Sequence, residues 1–272
     1  MKYCLFLLCF YSLFSQSIDV VIPVHKKDKP TLEIVIASIR KNVEGVRRVI
    51  VISKEKFSEN AEWVDERDFP FTIKDVADQI GGGGGIGKNV RRGWYYQQLL
   101  KLYAHAVIDD LLENILIFDA DTMANHQMKF IEDDGSLYMD VRNYGSPFFT
   151  YFTHLKKILP DLKDFNRSVN PVVHHMVFNK EVIEDLLTTV EMHFQRPFWK
   201  VFCNMVIADN KKPIYLYLGA SEYTIYYHFS MKYHKEKYTE RRVVMDDDAA
   251  LFADSNNHLF DFSSVHQYDR TE

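Results

Sequence analysis

Ile115-Leu116-Ile117-Phe118-Asp119-Ala120-Asp121-Thr122 constrains what this chain can become more than any other stretch. Four consecutive apolar residues, two of them β-branched, run directly into two carboxylates and a hydroxyl, the pattern of a buried central strand that ends in a polar site. In an open α/β sheet, ligands bind in the crevice beyond the carboxyl ends of the strands, and Asp119 and Asp121 would be delivered there. Carboxylates at i and i+2 can supply hard oxygen ligands to Mn2+ or Mg2+, whose other positions go to water or a substrate phosphate. The plainer reading is a strand ending in an acidic turn, where Asp is favoured. The neighbouring segments bear on the choice.

The chain has 272 residues, enough to bury a substantial core, and is 47% hydrophobic and 14% aromatic, which excludes a disordered chain. Its net charge of −5 is spread along the sequence rather than gathered into a basic face, so no nucleic-acid partner is expected. Residues 1–17 form a separate compartment: Lys2 precedes the apolar run Cys4 to Phe14, and Ser15-Gln16-Ser17 offers small residues for cleavage. This is the pattern of a secretory signal peptide, too short for a comfortable membrane span, and it implies an exported, secreted or lumenal protein. An uncleaved N-terminal membrane anchor is the alternative. Cys4 and Cys9 fall in the leader and only Cys203 in the body, so no internal disulfide framework is expected.

The body, residues 18–272, opens with the strand-like run Ile18 to Val24, which ends at Pro23 and the polar turn His25-Lys26-Lys27-Asp28. Thr31 to Asn42 has apolar residues at helical spacing behind Pro30, and Arg48 to Ser53 reads as a second strand. Strand, helix and strand in this order make a βαβ unit and imply a parallel sheet. The first turn lacks GxGxxG, which excludes a dinucleotide-binding fingerprint. The expected fold is a single α/β, Rossmann-like domain with a mixed, mainly parallel central sheet flanked by helices.

Gly81 to Gly85 with Ile86-Gly87-Lys88 fits GxxxxGK, but Asn89 replaces the hydroxyl residue and the polar, helix-like segment Ile73 to Ile80 stands where a P-loop needs a buried strand. A mobile glycine loop beside the site is the better expectation. Arg91 to Ala104 then reads as a helix with Trp94, Gln97, Gln98 and Lys101 on one side and Tyr95, Leu99 and Leu102 on another. Amides and cations beside a carboxylate pair suit a diphosphate-sugar, Lys101 or Arg92 neutralising phosphate and the amides binding hydroxyls. The alternative is a solvated helix with an aromatic core stripe.

The Val20 to Val24 opening strand, the block Gly93-Trp94-Tyr95-Tyr96-Gln97-Gln98-Leu99-Leu100-Lys101 and the Asp119-Ala120-Asp121-Thr122 motif together resemble glycosyltransferases of the GT-A fold. They are most similar to a bacterial and viral branch known only as glycosyltransferase-like. The resemblance implies a transferase, in all expectation a hexosyltransferase, that takes a UDP- or GDP-linked nucleotide-sugar donor and a glycan, protein or lipid acceptor. It implies that the DxD block binds the divalent metal clamping the donor diphosphate, with Ala120 beside the donor, and that Pro23 to Asp28, His25 included, contacts the base or ribose.

Two later regions supply further candidates. Asn170 to Asn179 reads as a short strand interrupted by His174-His175, of which at most one should face the site; similar proteins place a glycine-rich loop here, close to the sugar. Pro213 to Leu218 alternates like a strand and leads into a helix at Ser221-Glu222, where Ser221 can cap and Glu222 suits the dipole. In the GT-A pattern an acidic residue at this point takes the proton from the acceptor hydroxyl, which makes Glu222 the candidate base of an inverting reaction and leaves Tyr223 in place of the usual second acid. Many GT-A enzymes complete the metal shell with a late histidine. His266 is the match, with His258 its competitor, and imidazole beside two carboxylates suits Mn2+. Asp246-Asp247-Asp248 has no strand feeding it and is expected to be a solvent-exposed turn. The rival readings are a nucleotidyltransferase on the same kind of sheet and a catalytically silent sugar-binding or effector module.

Overall fold

The computed structural model describes residues 16–80, 91–143, 145, 147–163, 165–206, 218–247 and 259–265. Strand β1 (Ile18–Pro23) is buried at every position, and helix α1 (Lys29–Asn42) follows through a short 3-10 turn. Pro30 sits in the first turn of α1, where its missing N–H costs nothing. Val35, Ile36 and Ile39 form the buried stripe of that helix. Strands β2 (Val46–Ser53) and β3 (Glu62–Asp65) come next, then helices α2 (Ile73–Ile80), α3 (Arg92–Leu102) and the one-turn α4 (Ala104–Val107). Strand β4 (Asn114–Phe118) carries the apolar run predicted from the sequence, with Ile115 to Phe118 fully buried.

The central sheet has the order β3-β2-β1-β4-β7, β7 being His175–Asn179. β1, β2, β3 and β4 are parallel, and β7 runs antiparallel to β4, so the sheet is mixed and mainly parallel, with helices flanking it. Successive strands move outward from β1 on one side and then on the other, which places the topological switch between β1 and β4. At that switch Val21 pairs with Ile117, so Pro23 and Asp119 leave the sheet at the same edge.

Two smaller sheets extend the fold. One is β5 (Thr122–Ala124), β10 (Phe262–Ser264) and β9 (Met245–Asp246); the other is the parallel pair β6 (Leu137–Arg142) and β8 (Tyr238–Val243). Helices α5 (Phe149–Ile158), α6 (Lys180–Phe194), α7 (Phe198–Met205) and α8 (Glu222–Tyr233) complete the described elements. One continuous apolar core runs from Ile18 to Val265.

Two expectations are corrected. The strand expected from Asn170 begins only at His175, because His174 adopts a left-handed backbone with φ of 61° that cannot continue a ladder. The acidic turn at Asp246–Asp248 is in part the two-residue β9, paired with β10, and Asp247 is bound by Arg142. The chain before His266 is packed into the fold, since Phe262 to Ser264 are buried and pair with β5. The glycine loop at 81–87, the strand at 213–217 and the leader to residue 15 lie outside the described residues. Among the described residues no helix is long and apolar enough to cross a membrane.

Candidate active site

The parallel strands β1 and β4 and the antiparallel strand β7 meet at one edge. Phe118 pairs with His175, and the Asp119 N–H donates to the His174 carbonyl at 2.9 Å, so the residue after β4 and the residue before β7 are held side by side. Helix α3 passes above this edge. Its Gln97 amide donates to the Pro23 carbonyl at 3.4 Å, and the Thr31 hydroxyl of α1 lies 2.8 Å from the Ala120 carbonyl. Pro23, Gln97, Ala120 and the first turn of α1 therefore surround the exit of β4.

The centre of the arrangement is the ammonium of Lys101, whose side chain is only 3% exposed. It lies 2.5 Å from Asp119 Oδ1, 2.5 Å from Glu222 Oε1 and 3.1 Å from the Tyr223 hydroxyl. Tyr223 also donates to Asp119 Oδ1 at 3.1 Å, and His174 Nδ1 approaches Asp119 Oδ2 at 3.2 Å. Helix α8 is fixed over this cluster from its first turn. Ser221 caps it by accepting from the Thr224 N–H, and the Gln98 side chain accepts from the Glu222 N–H and donates to the Ala220 carbonyl. Both amides of the Gln97-Gln98 pair thus bind backbone groups across the crevice.

Burial opposes charge on all three ionisable groups of this core, and their partners decide the outcome. Burial works against the Lys101 ammonium, but Asp119 and Glu222 outweigh it and raise its pKa. Burial would raise the Asp119 carboxyl, yet Lys101 and His174 together hold it below the usual carboxylate range. Glu222 is the exception: burial lifts its pKa, and Lys101 only partly offsets this. Tyr223 is pushed well up by burial and by the carboxylates of Asp119 and Glu222, so it serves as a hydrogen-bond donor.

Asp121 is half-buried beyond Ala120, and its carbonyl accepts from the Val265 N–H at 2.9 Å. The Thr122 and Ser264 hydroxyls are 2.8 Å apart on the same pair of strands. The chain is therefore tied to the DxD segment one residue before His266, which itself lies outside the described residues. Among the described residues, no three His, Cys, Asp or Glu side chains converge on one metal position. The donor chemistry nonetheless fits a hard cation. Asp119 and Asp121 offer carboxylate oxygens, the donor type that a hard divalent ion takes.

Other predicted residues fall elsewhere. His175 is fully buried on the opposite face of β7, bonded to Asp140 at 2.8 Å and packed against Phe118 and Phe262. His25 is exposed and caps the 3-10 turn by accepting from the Lys27 N–H, while Asp28 is buried at the start of α1. Arg92 is exposed in the first turn of α3, and Trp94 is half-buried against Tyr95 and Tyr151 with Arg91 over its ring. Sequence reasoning missed Tyr223 as a donor to Asp119, together with Arg142 and Asp247 behind His174. The alternation of Leu137, Met139 and Val141 was a legible strand signal for the segment that ends in Arg142.

A family model described as a family of unknown function, DUF6492, matches residues 15–271. No curated protein sequence matches the chain. Among solved structures, the crystal structure of mouse xyloside xylosyltransferase 1 in its apo form is similar with a TM-score of 0.45 and 10% identity, over 94% of this chain and 100% of that one. A likeness that distant assigns nothing to this site.

Proposed function

The chain belongs to the DUF6492 family, and from the chemistry of its site we propose that it is a metal-dependent GT-A-type glycosyltransferase, moving a hexose from a UDP- or GDP-linked donor to a hydroxyl of a glycan, protein or lipid acceptor. The observation that carries this reading is the delivery of Asp119 and Asp121 to the carboxyl end of β4, at the switch point beside β1, where α/β sheets bind ligands. Asp119, Asp121 and His266 would hold Mn2+ or Mg2+, which when bound supplies positive charge to the diphosphate leaving group. Pro23 to Asp28 and Gln97 would line the base and ribose, and Arg92 would add charge from the start of α3. Lys101 fixes the separation of Asp119 and Glu222, so that the carboxylates do not repel one another apart before substrate arrives.

Glu222 remains the proposed base of an inverting transfer. Burial raises its pKa, which makes the ionised carboxylate a stronger proton acceptor, and its contact with Lys101 orients it. Its side chain is 4% exposed, which favours a second role as the buried partner that holds Lys101. Glu222→Gln separates the two: a base predicts a turnover loss of roughly 100-fold or more with KM little changed, whereas a holding role predicts lost stability with turnover largely kept in the folded fraction. Export by the expected leader would suit this reaction only where the protein is delivered to a compartment stocked with nucleotide-sugar, such as a secretory lumen or a host cell.

Product analysis tests the reaction class. With Mn2+ and a panel of UDP- and GDP-hexoses, the expected product is the free nucleoside diphosphate, its release falling in Asp121→Asn. Pyrophosphate release from nucleoside triphosphates would establish nucleotidyl transfer instead.

A further inference from the structure

We infer that Arg142 is a positioning residue that locks His174 in its Nδ1–H tautomer, so that His174 donates to Asp119 and is closed to the metal. Arg142 ends β6 and grips the loop before β7 at three points. Its backbone N–H donates to the Asn170 carbonyl at 2.8 Å, its Nε to the Val172 carbonyl at 2.7 Å, and its Nη2 reaches His174 Nε2 at 3.0 Å. Asp247 holds the same guanidinium from the other side at 2.9 Å.

A guanidinium has N–H donors and no acceptor. The contact between Arg142 Nη2 and His174 Nε2 is a hydrogen bond only if Nε2 offers its lone pair, which puts the ring proton on Nδ1. That nitrogen is the one 3.2 Å from Asp119 Oδ2, and a carboxylate oxygen accepts what Nδ1–H donates. One donor-only side chain, two bonds away, thereby sets the direction of the hydrogen bond on the first carboxylate of the DxD segment. His174 has φ of 61°, a conformation in which glycine is at ease and histidine is not, and the three Arg142 contacts hold the loop in it.

With Nε2 facing Arg142, Asp247 Oδ1 lying 3.9 Å beyond, and Nδ1 facing Asp119, both ring nitrogens are engaged, so His174 offers no nitrogen to a metal. This distinguishes it from His266 as the source of a ligating imidazole. The consequence for metal binding rests on the transferase reading; the tautomer assignment does not.

The test is a long-range 1H–15N spectrum of the full chain, 15N-labelled at histidine and recorded at one pH, with His174 assigned by its absence from His174→Gln. The expected pattern for His174 is a protonated Nδ1 and an unprotonated Nε2. The reverse pattern in the wild-type protein overturns the proposal without any Arg142 variant having to fold. In Arg142→Met, checked for folding by near-ultraviolet circular dichroism, the Nε2–H tautomer should appear, and Mn2+ affinity should fall about tenfold, as for other groups that orient metal ligands. An unchanged tautomer in that variant, or a changed tautomer with unchanged Mn2+ affinity, overturns the positioning role. Failure of the wild-type protein to bind Mn2+ would remove the transferase reading and leave the tautomer result standing.

Discussion

Lys101 is the residue on which the site's electrostatics turn. An ammonium 3% exposed between two carboxylates is stable only as part of that set, and either carboxylate without it is a buried charge with less compensation. Lys101→Met should therefore destabilise the fold by about 3–5 kcal/mol, measured by urea unfolding, and adding Glu222→Gln should recover part of the loss. Full additivity of the two substitutions would show that they do not share a network. The sequence placed Lys101 on the polar face of a helix beside the carboxylates, but a residue spacing carries no information on whether its partner is a phosphate or a protein carboxylate. His174 gives a second prediction at this scale. Because its φ is 61°, His174→Gly should be more stable than His174→Ala by about 1 kcal/mol, while both lose the contact with Asp119. Equal stability of the two would show that the backbone there carries no strain.

At the scale of elements, the site depends on strands whose order in the sequence hides their pairing. β4, β1 and β2 were legible because each is a continuous apolar run of a kind buried on both faces. β5, β9 and β10 are two or three residues long, and pairings between residues 122–124 and 262–264 leave no local periodicity to read. β10 nonetheless ties the late chain to the DxD segment through the Thr122–Ser264 and Asp121–Val265 bonds. Phe262 anchors it, fully buried with its ring centroid 3.9 Å from that of His175 and 6.2 Å from that of Phe118. Phe262→Ala should cost about 3–5 kcal/mol and weaken Mn2+ binding beyond the loss of folded protein, checked by titrating metal at a temperature where the variant is fully folded. Metal affinity unchanged in the folded variant would separate β10 from the site.

Across the whole molecule, the pH dependence of stability should be set in part by two histidines that make no contact with the Lys101 cluster. His154 and His228 are 1% and 4% exposed, and burial lowers the pKa of each to about 4; for His154, a 2.8 Å bond to the Phe202 carbonyl only partly opposes this. The unfolded chain takes up these protons as pH falls through about 6.5, while the folded chain refuses them until about 4. Stability is thus complete above about pH 6.5 and declines as pH falls through that window, by a few kcal/mol per histidine at most. His228→Phe, placed among Phe152, Phe165 and Tyr227, should flatten the fall in thermal midpoint between pH 6.5 and 4.5. A slope identical to the wild-type protein would show that His228 is not charged on unfolding.

The account stands on the claim that Asp119 and Asp121 form a metal-dependent nucleotide-sugar site. Calorimetric titration of UDP and GDP into the full chain, with and without Mn2+, tests this most directly. Binding of one nucleotide that requires Mn2+ and disappears in Asp121→Asn is the result predicted. No binding of either nucleotide with Mn2+ or Mg2+ present, in a protein shown to be folded, would contradict it and favour a silent sugar-binding or effector module built on the same sheet.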